Sequence, residues 1–108
     1  DLKGAIITDG SDIHAGFERT NFSNADLSGV DLSGVDLQYA NFAASNLSGA
    51  DLNGAYLMCA IFHGANLSGA NLSGATFSGW QFECSYDDSV FSGAILSGAT
   101  MPDGSIHD

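Results

Sequence analysis

The residues that could do chemistry in this 108-residue chain are few and scattered. The histidines and cysteines lack the close, repeated spacing of a metal site. The serines stand beside glycines, and no histidine or lysine recurs near them to activate a nucleophile. The sequence therefore predicts no catalytic residue, no cofactor and no metal site, and the chain is not expected to be an enzyme.

Charge narrows the classes of partner. Thirteen acidic residues stand against Lys3 and Arg19, which gives a formal net charge of −11. Such a chain repels phosphate groups, so direct nucleic-acid binding is not expected.

No stretch approaches the ~20 apolar residues of a membrane-spanning helix, so no membrane insertion is expected. Because the sequence begins with Asp, its start is expected to be trimmed, processed or cut from a longer chain. The compartment stays open: cytoplasm, or a lumen or periplasm if a targeting segment was removed.

Large apolar residues recur at every fifth position over most of the chain. Leu or Phe occupies each such position from Phe17 to Phe82. A small residue, usually Ala, precedes it by two from Ala15 to Ala75, and Trp80 replaces the small residue before Phe82. The unit reads Ala-Asp/Asn-Leu/Phe-Ser-Gly, as at residues 25–29. Residues two apart share one side of an extended strand, and the closing glycine suits a turn with positive φ. An α-helix is excluded, because a five-residue step would spread the apolar stripe around it.

Four units per coil align like residues better than three units do. A 20-residue coil places Phe22, Phe42, Phe62 and Phe82 in one column, whereas a 15-residue coil mixes Leu and Phe in its columns. Columns of uniform size pack without voids, and rings stack on rings. The sequence therefore predicts a 20-residue coil with an inward-facing Phe column.

These consecutive units resemble the pentapeptide repeat proteins, and the resemblance covers residues 15–82 continuously. It implies an all-β fold, a right-handed quadrilateral β-helix of about five coils with irregular capping segments at both ends. The tail from Ala94 to Gly104 is similar to the ends of cyanobacterial members. The expected organisation is one domain over 1–108, divided into an irregular N-terminal coil or cap (1–14), regular repeats (15–82), a register break or loop (83–90), last repeats (91–101) and a terminal turn and tail (102–108).

The predicted coil also predicts contacts between side chains. Cys59 and Cys84 would lie one coil up and one side around, beyond the ~4.4–6.8 Å Cα separation of a disulfide, so two free thiols are expected. His63 is expected to stack one coil from Glu83 as a weak surface pair. The outward Asp and Asn residues are expected to form columns in which Asn hydrogen bonds run along the stack and stacked carboxylates repel.

Sorting the units by the side of the coil separates two plain faces from two that depart from the repeat. Faces 1 and 2 keep to the repeat, whereas face 4 carries Ile61, His63, Gln81 and Glu83 at outward positions. The four faces comprise units 25–29, 45–49 and 65–69 (face 1), 30–34, 50–54 and 70–74 (face 2), 15–19, 35–39, 55–59 and 75–79 (face 3), and 20–24, 40–44, 60–64 and 80–84 (face 4).

Face 3 departs most clearly from the repeat. Tyr39, Tyr56, Met58 and Cys59 are expected to point outward there, and Arg19 is expected to lie close enough to Tyr39 for a cation–π contact. Tyr and Met are enriched in the cores of protein interfaces, although drift on a tolerant surface would produce the same departures. The candidate partner-binding residues are Glu18, Arg19, Asp36, Gln38, Tyr39, Tyr56 and Met58.

The leading interpretation is a non-enzymatic structural or protein–protein interaction module that contacts an unidentified protein through face 3. The resemblance implies an alternative, an acidic mimic of duplex DNA that acts on DNA gyrase or a topoisomerase, because some family members that protect gyrase from quinolones are acidic rods. Ice binding by the Ser and Asn residues of face 1 is a third, weaker alternative. A homodimer formed by end-to-end stacking is a further expectation about partners.

Overall fold

The computed structural model describes residues 20–77 and 91–107. In place of long strands, single residues form parallel β-bridges, one in each five-residue unit of residues 21–76. The bridges join residues 20 positions apart, such as Asn21 with Asn41 and Asp26 with Asn46. This pairing confirms the 20-residue coil. Coil 1 is residues 20–39, coil 2 is 40–59, coil 3 is 60–77, and the final coil is 91–107.

Each unit changes direction at a tight β-turn. In one such turn the Val30 N–H donates to the Leu27 carbonyl at 3.1 Å, and Gly29, the third residue of the turn, has a φ of 70°. A positive φ at the third residue is characteristic of a type II turn, and this conformation favours glycine. The predicted role of the repeat glycine is therefore confirmed. Within the described residues, four turns place another residue type in this left-handed region: Asn24, Tyr39, Ala44 and Cys59, with φ between 59° and 63°.

The Asp or Asn of each unit caps its own turn. Asn46 Oδ1 accepts hydrogen bonds from the backbone N–H of Ser48 at 3.1 Å and from its hydroxyl at 2.8 Å. Asn66 binds Ser68 in the same way. Short polar side chains form such Asx turns with the backbone two residues on. The expected hydrogen-bonded ladder along the stack is therefore wrong for Asn46 and Asn66, whose side chains bond within their own unit.

Unit 45–49 shows how completely the coil satisfies its backbone. Three N–H groups donate to carbonyls of the neighbouring coils, one closes the preceding turn, and one donates to the Asx side chain. A buried backbone donor without a partner would cost free energy, so this pattern lets extended segments of only a few residues form a stable wall. The acceptors, in order from residue 45 to residue 49, are the oxygens of Phe42, Ala25, Asn66, Asn46 (side chain) and Ser68.

The core lies inside the coils as columns of like residues. The rings of Phe42 and Phe62 have no exposed surface, and their centroids are 5.0 Å apart with planes 6° from parallel. Phe22 stacks on the other side of Phe42 at 5.1 Å. The inward Phe column is therefore confirmed over coils 1 to 3. The fully buried leucines form the other columns: Leu27, Leu32, Leu37, Leu47, Leu52, Leu57, Leu67 and Leu72.

Residues of the final coil stack on residues of coil 3 that lie 29 positions earlier in the sequence, instead of 20. Asn66 is bridged to Ile95, and Phe91 packs on Phe62 with ring centroids 5.6 Å apart. The predicted place of Phe82 at the end of the Phe column is therefore wrong, since Phe91 occupies it; Phe82 itself lies outside the described residues. The five-residue spacing continues to Phe82 in the sequence, but stacking depends on where the chain re-enters the wall.

The same shift changes the neighbour of His63. The Ala44 N–H donates to the His63 carbonyl, and in the next layer the Gly64 N–H donates to the Ser92 carbonyl at 2.9 Å. Ser92 therefore occupies the position that the sequence predicted for Glu83.

Residues 1–19 and 78–90 lie outside the described part of the chain, so the predicted N-terminal cap and register break stay predictions.

The described chain ends in a short antiparallel hairpin. Thr100 is bridged to Ile106, and the His107 N–H donates to the Ala99 carbonyl at 2.8 Å. The turn between these segments contains Gly104, whose φ is 88°. The returning segment pairs with the outer edge of the final coil at face 2, which reduces the length of unpaired edge there.

Candidate partner-binding surface

Two consecutive coils bring together the described candidates on face 3. Asp36 of coil 1 is bridged to Tyr56 of coil 2, and the Tyr39 N–H donates to the Met58 carbonyl at 2.9 Å. Gln38 lies between Asp36 and Tyr39 on coil 1. Glu18 and Arg19 lie outside the described residues, so the cation–π contact of Arg19 with Tyr39 stays a prediction.

These candidates differ sharply in exposure. Tyr39 is 40% exposed, and Gln38 and Tyr56 are half-buried. Met58 is only 7% exposed, so the prediction that it projects into solvent is wrong. An unbranched thioether has three rotatable bonds and can bend back against the protein, where its apolar surface leaves water. Asp36 is 4% exposed and is likewise no surface contact.

Asp36 and Gln38 act together to cap their turn. Asp36 Oδ1 accepts a hydrogen bond from the Gln38 backbone N–H at 3.2 Å, and Asp36 Oδ2 accepts one from Gln38 Nε2 at 3.1 Å. A carboxylate buried to this degree needs donors to offset its loss of hydration. Gln38 therefore supplies with its amide the second donor that a serine hydroxyl supplies on face 1.

Tyr39 holds an unusual backbone conformation for an aromatic residue. Its φ is 62°, at the turn position that glycine holds throughout faces 1 and 2. The left-handed region costs a residue with a Cβ about 1–2 kcal/mol. Cys59, one coil on, has the same conformation with a φ of 63°. Backbone strain of this kind concentrates at functional sites, which makes the Tyr39 turn the most informative position on the face.

Ile61 extends the apolar surface around the corner to face 4. It is 38% exposed and occupies the position that Asn41 holds one coil earlier, to which it is bridged. Asn41 follows Tyr39 by two residues, so Tyr39 and Ile61 flank the same corner. The sequence placed Ile61 on face 4 but not in the site; an aliphatic residue at an Asx position was the signal. We call Tyr39, Tyr56 and Ile61 the corner patch.

Other chemistry finds little support in the described residues. Within residues 20–77 and 91–107, no group of three or more His, Cys, Asp or Glu side chains could hold a metal ion. A shallow cleft of about 290 Å³ at the hairpin is lined by Met101, Pro102, Asp103 and Ser105. There the hydroxyl and backbone N–H of Ser105 donate to Asp103 Oδ1 and lower the pKa of that carboxyl. This pair is a turn cap like those of the repeats.

The serine row of face 1 bears on the ice-binding alternative. The hydroxyls of Ser28, Ser48 and Ser68 donate to the Asx oxygens of their own units, each at 2.8 Å. Their hydrogens are therefore directed into the turns. This geometry leaves face 1 without outward-pointing serine O–H donors in these three units, so it does not favour ice recognition.

Cys59 is disulfide-bonded. The prediction of two free thiols is therefore wrong. That prediction extended the 20-residue register to residue 84, whereas the stacking of the final coil on coil 3 joins residues 29 positions apart. Cys84, the only other cysteine in the sequence, lies outside the described residues.

A family model for pentapeptide repeats matches residues 13–38 and 36–74, with eight copies of the repeat. The chain belongs to the pentapeptide repeat family. Its fold is therefore all-β, the right-handed quadrilateral β-helix, in agreement with four five-residue faces per 20-residue coil. Proteins of this repeat family are generally structural or interaction modules.

Solved structures of pentapeptide repeat proteins are similar to the chain over most of its length. A protein of the Arabidopsis thaliana thylakoid lumen is 30% identical, with 100% of this chain and 69% of that chain covered and a TM-score of 0.49. Rfr23 of the cyanobacterium Cyanothece 51142 is 26% identical, with 83% and 55% covered and a TM-score of 0.45. HetL of Nostoc sp. strain PCC 7120, involved in regulating heterocyst differentiation, is 32% identical, with 98% and 48% covered and a TM-score of 0.35.

The chain thus spans about half the length of two of these proteins. No curated protein matches the sequence. In the part of the chain that the structure describes, no helix has the length and apolar character needed to cross a membrane.

Proposed function

We propose that this chain is a non-enzymatic interaction module that binds a protein partner through the corner patch of Tyr39, Tyr56 and Ile61. The observation that carries the proposal is Tyr39, an aromatic side chain that is 40% exposed at a turn position that glycine holds throughout faces 1 and 2. The strained positive φ of Tyr39 destabilises the fold, and a role of the side chain in binding explains why a tyrosine occupies this position.

The chemistry of the patch fits protein recognition. Tyr is among the residues that contribute most to binding when they enter a pocket of the partner. The ring buries a large area there, and the hydroxyl forms a hydrogen bond at the rim of the pocket. Ile61 adds apolar surface at the same corner. The β-helix supplies rigidity, since the backbone around Tyr39 is bonded to coil 2, and a pre-ordered surface loses little entropy on binding.

The remaining candidates have different roles in this proposal. Asp36 and Gln38 hold the turn that presents Tyr39, and the buried Met58 supports the coil beneath it. Glu18 and Arg19 would provide a polar rim on the preceding coil. The binding surface of this chain would therefore be apolar at its centre, with a polar periphery.

The repeat itself provides the test variant. Replacing Tyr39 by Gly and Ile61 by Asn restores the residue types that other units carry at these positions. We expect this double variant to keep the circular dichroism spectrum, while partner capture in a pull-down falls at least tenfold. Ala44→Gly is the matched control, because it makes the same kind of turn change on face 4 and should leave capture intact.

An unchanged set of captured proteins for the double variant would refute the corner patch. The acidic DNA-mimic alternative predicts the opposite sensitivities. Asp31 and Asp51 are bridged to each other on face 2, so changing both to Asn removes two stacked charges with little change in shape. If that pair variant and added salt weaken binding to gyrase while the double variant does not, the acidic surface is the functional one.

A specific observation favours pairing of two copies of the chain through the final coil as a second candidate. Ile95 is 51% exposed and Ile106 is 63% exposed, and both belong to the final coil. Ile95→Asn restores the Asx residue of its column, and Ile106→Ser removes the other apolar group. If light scattering of the wild type gives twice the monomer mass, this double variant should be monomeric; a dimer that persists would exclude this end as the interface.

A further inference from the structure

One asparagine of the sequence is followed by glycine, at Asn53–Gly54. In such a pair the glycine nitrogen can attack the side-chain amide carbon of the asparagine, because glycine has no Cβ to obstruct the approach. Phe, Ala or Leu follows every other asparagine, and a side chain at that position slows the attack. By sequence, Asn53 is therefore the asparagine most susceptible to spontaneous deamidation.

The Asn53 side chain is accessible and is not needed by its turn. Asn53 is exposed, and its amide makes no hydrogen bond within the described residues. The turn is capped by the preceding Asx residue instead, because the Asn53 N–H donates to Asp51 Oδ1 at 3.0 Å. Serine holds the same position in the neighbouring coils, as Ser33 and Ser73. The reactive amide is therefore an addition to the repeat and not a part of its architecture.

The peptide group between Asn53 and Gly54 is held from both sides by neighbouring coils. Its carbonyl accepts a hydrogen bond from the Gly34 N–H of coil 1 at 3.0 Å, and its N–H donates to the Ser73 carbonyl of coil 3 at 2.9 Å. The nucleophile of deamidation is the nitrogen of this N–H after it has lost its proton. While both bonds are intact, the nitrogen keeps its proton and the peptide group cannot rotate toward the side chain.

We propose that Asn53–Gly54 is a spontaneous modification site that the native stack keeps closed and that separation of coil 2 from its neighbours on face 2 opens. The reaction needs neither an enzyme nor an oxidant. The Gly54 nitrogen forms a bond to Asn53 Cγ, and the amide nitrogen leaves as ammonia, taking the proton that the Gly54 N–H gives up. Water then opens the succinimide ring, at Cγ to give aspartate or at the main-chain carbonyl to give isoaspartate.

The two products have different consequences for the coil. Aspartate leaves the main chain as it was and adds a negative charge two residues from Asp51. Isoaspartate carries the main chain through Cβ and Cγ, which lengthens it by a carbon atom and displaces the peptide group. The bonds to Gly34 and Ser73 then cannot both re-form, so the unit no longer fits between its neighbours. Modification of the opened chain therefore competes with refolding and is irreversible.

This inference does not depend on the corner patch, so either can fail without the other. Its test compares deamidation in the folded and the unfolded chain. Wild-type protein is incubated in mildly alkaline buffer with and without urea, and peptide mapping by mass spectrometry measures the conversion of Asn53. Conversion should be at least about 100-fold slower in the folded protein, because release of the Gly54 N–H requires a local opening. Deuterium exchange of that N–H should be slowed by a similar factor, since it needs the same opening.

Two variants provide matched controls. Asp103→Asn creates a second Asn–Gly pair in the hairpin, where the Gly104 N–H donates only within its turn, to the Met101 carbonyl at 2.8 Å. In the folded protein that pair should deamidate at least about tenfold faster than Asn53. Asn53→Ser restores the serine of the neighbouring coils and removes the reactive amide. After prolonged incubation in urea and dilution, this variant should keep its refolding yield, whereas the wild type should lose refolding in proportion to its isoaspartate content.

Three outcomes would overturn the proposal. Equal rates of Asn53 conversion with and without urea would mean that the stack does not close the site. Equal rates at the two Asn–Gly pairs of the folded Asp103→Asn variant would mean that hydrogen bonds between coils are not the cause of the protection. An equal loss of refolding in the wild type and in Asn53→Ser would mean that another process ends refolding.

Discussion

Phe42 offers the most direct test of the stacked core. Its ring has no exposed surface and lies between Phe22 at 5.1 Å and Phe62 at 5.0 Å, nearly parallel to both. Replacing it by Ala removes a whole ring from the column and leaves a cavity bounded by rings above and below. Phe→Ala changes in protein cores cost about 3–5 kcal/mol, depending on how far the site collapses.

The structure argues for the upper half of that range. The Phe42 N–H donates to the Ile61 carbonyl at 2.8 Å, and the Phe42 carbonyl accepts from both the backbone and the hydroxyl of Ser45. These bonds fix the backbone, so the walls cannot move inward to fill the space. We therefore expect a loss of about 4–5 kcal/mol in the free energy of unfolding, part of it from the two lost ring stacks at about 0.5–1.5 kcal/mol each.

Urea denaturation followed by circular dichroism measures this loss, with Phe42→Leu as the matched control. Leucine fills the equivalent position on faces 1 and 2, so that variant should lose only about 1–1.5 kcal/mol. If Phe42→Ala costs no more than Phe42→Leu, with equal denaturant slopes, the ring is not a packed member of the column. The 20-residue stacking of the Phe face would then fail as an account of stability.

Three further predictions follow from the turns. Ala44→Gly should raise the free energy of unfolding by about 0.5–1 kcal/mol in thermal melting, because the strain relieved at a φ of 59° exceeds the extra freedom of glycine in the unfolded chain. Gly49→Ala should lower the free energy of unfolding, although the added Cβ meets no atom within 4 Å, because it introduces the same strain. Greater stability of the Gly49→Ala variant would contradict this account of strain. Asn46→Ala should cost about 1–2 kcal/mol and Asn46→Asp much less, because only the first loses the acceptor for Ser48; equal melting temperatures would contradict the cap. The pKa of the Asp103 carboxyl, measured by NMR, should lie below 3.8 and should rise in Ser105→Ala, because that variant loses the hydroxyl that donates to the carboxylate; an unchanged pKa would contradict the role of the hydroxyl. A folded-state pKa below the unfolded one stabilises the fold above the unfolded pKa, and this stabilisation is lost as the pH falls through the folded pKa.

The sequence alone determined the repeating part of this protein. A five-residue period specifies which side chains face inward, a closing glycine specifies the left-handed turn residue, and like residues recurring every 20 positions specify the coil. These features depend on residues close together in the chain or on a strict period, so no knowledge of distant contacts was needed. The inward column of Phe22, Phe42 and Phe62 and the turn at Gly29 follow from this local arithmetic.

Only the tertiary structure decided the features that depend on where the chain goes after the period fails. Phe91 rather than Phe82 completes the Phe column, because coil stacking is fixed by the point of re-entry and not by continued spacing. The bond at Cys59 was missed for the same reason. The burial of Met58 depends on how a flexible side chain bends back against its surroundings, a property that no repeat pattern records.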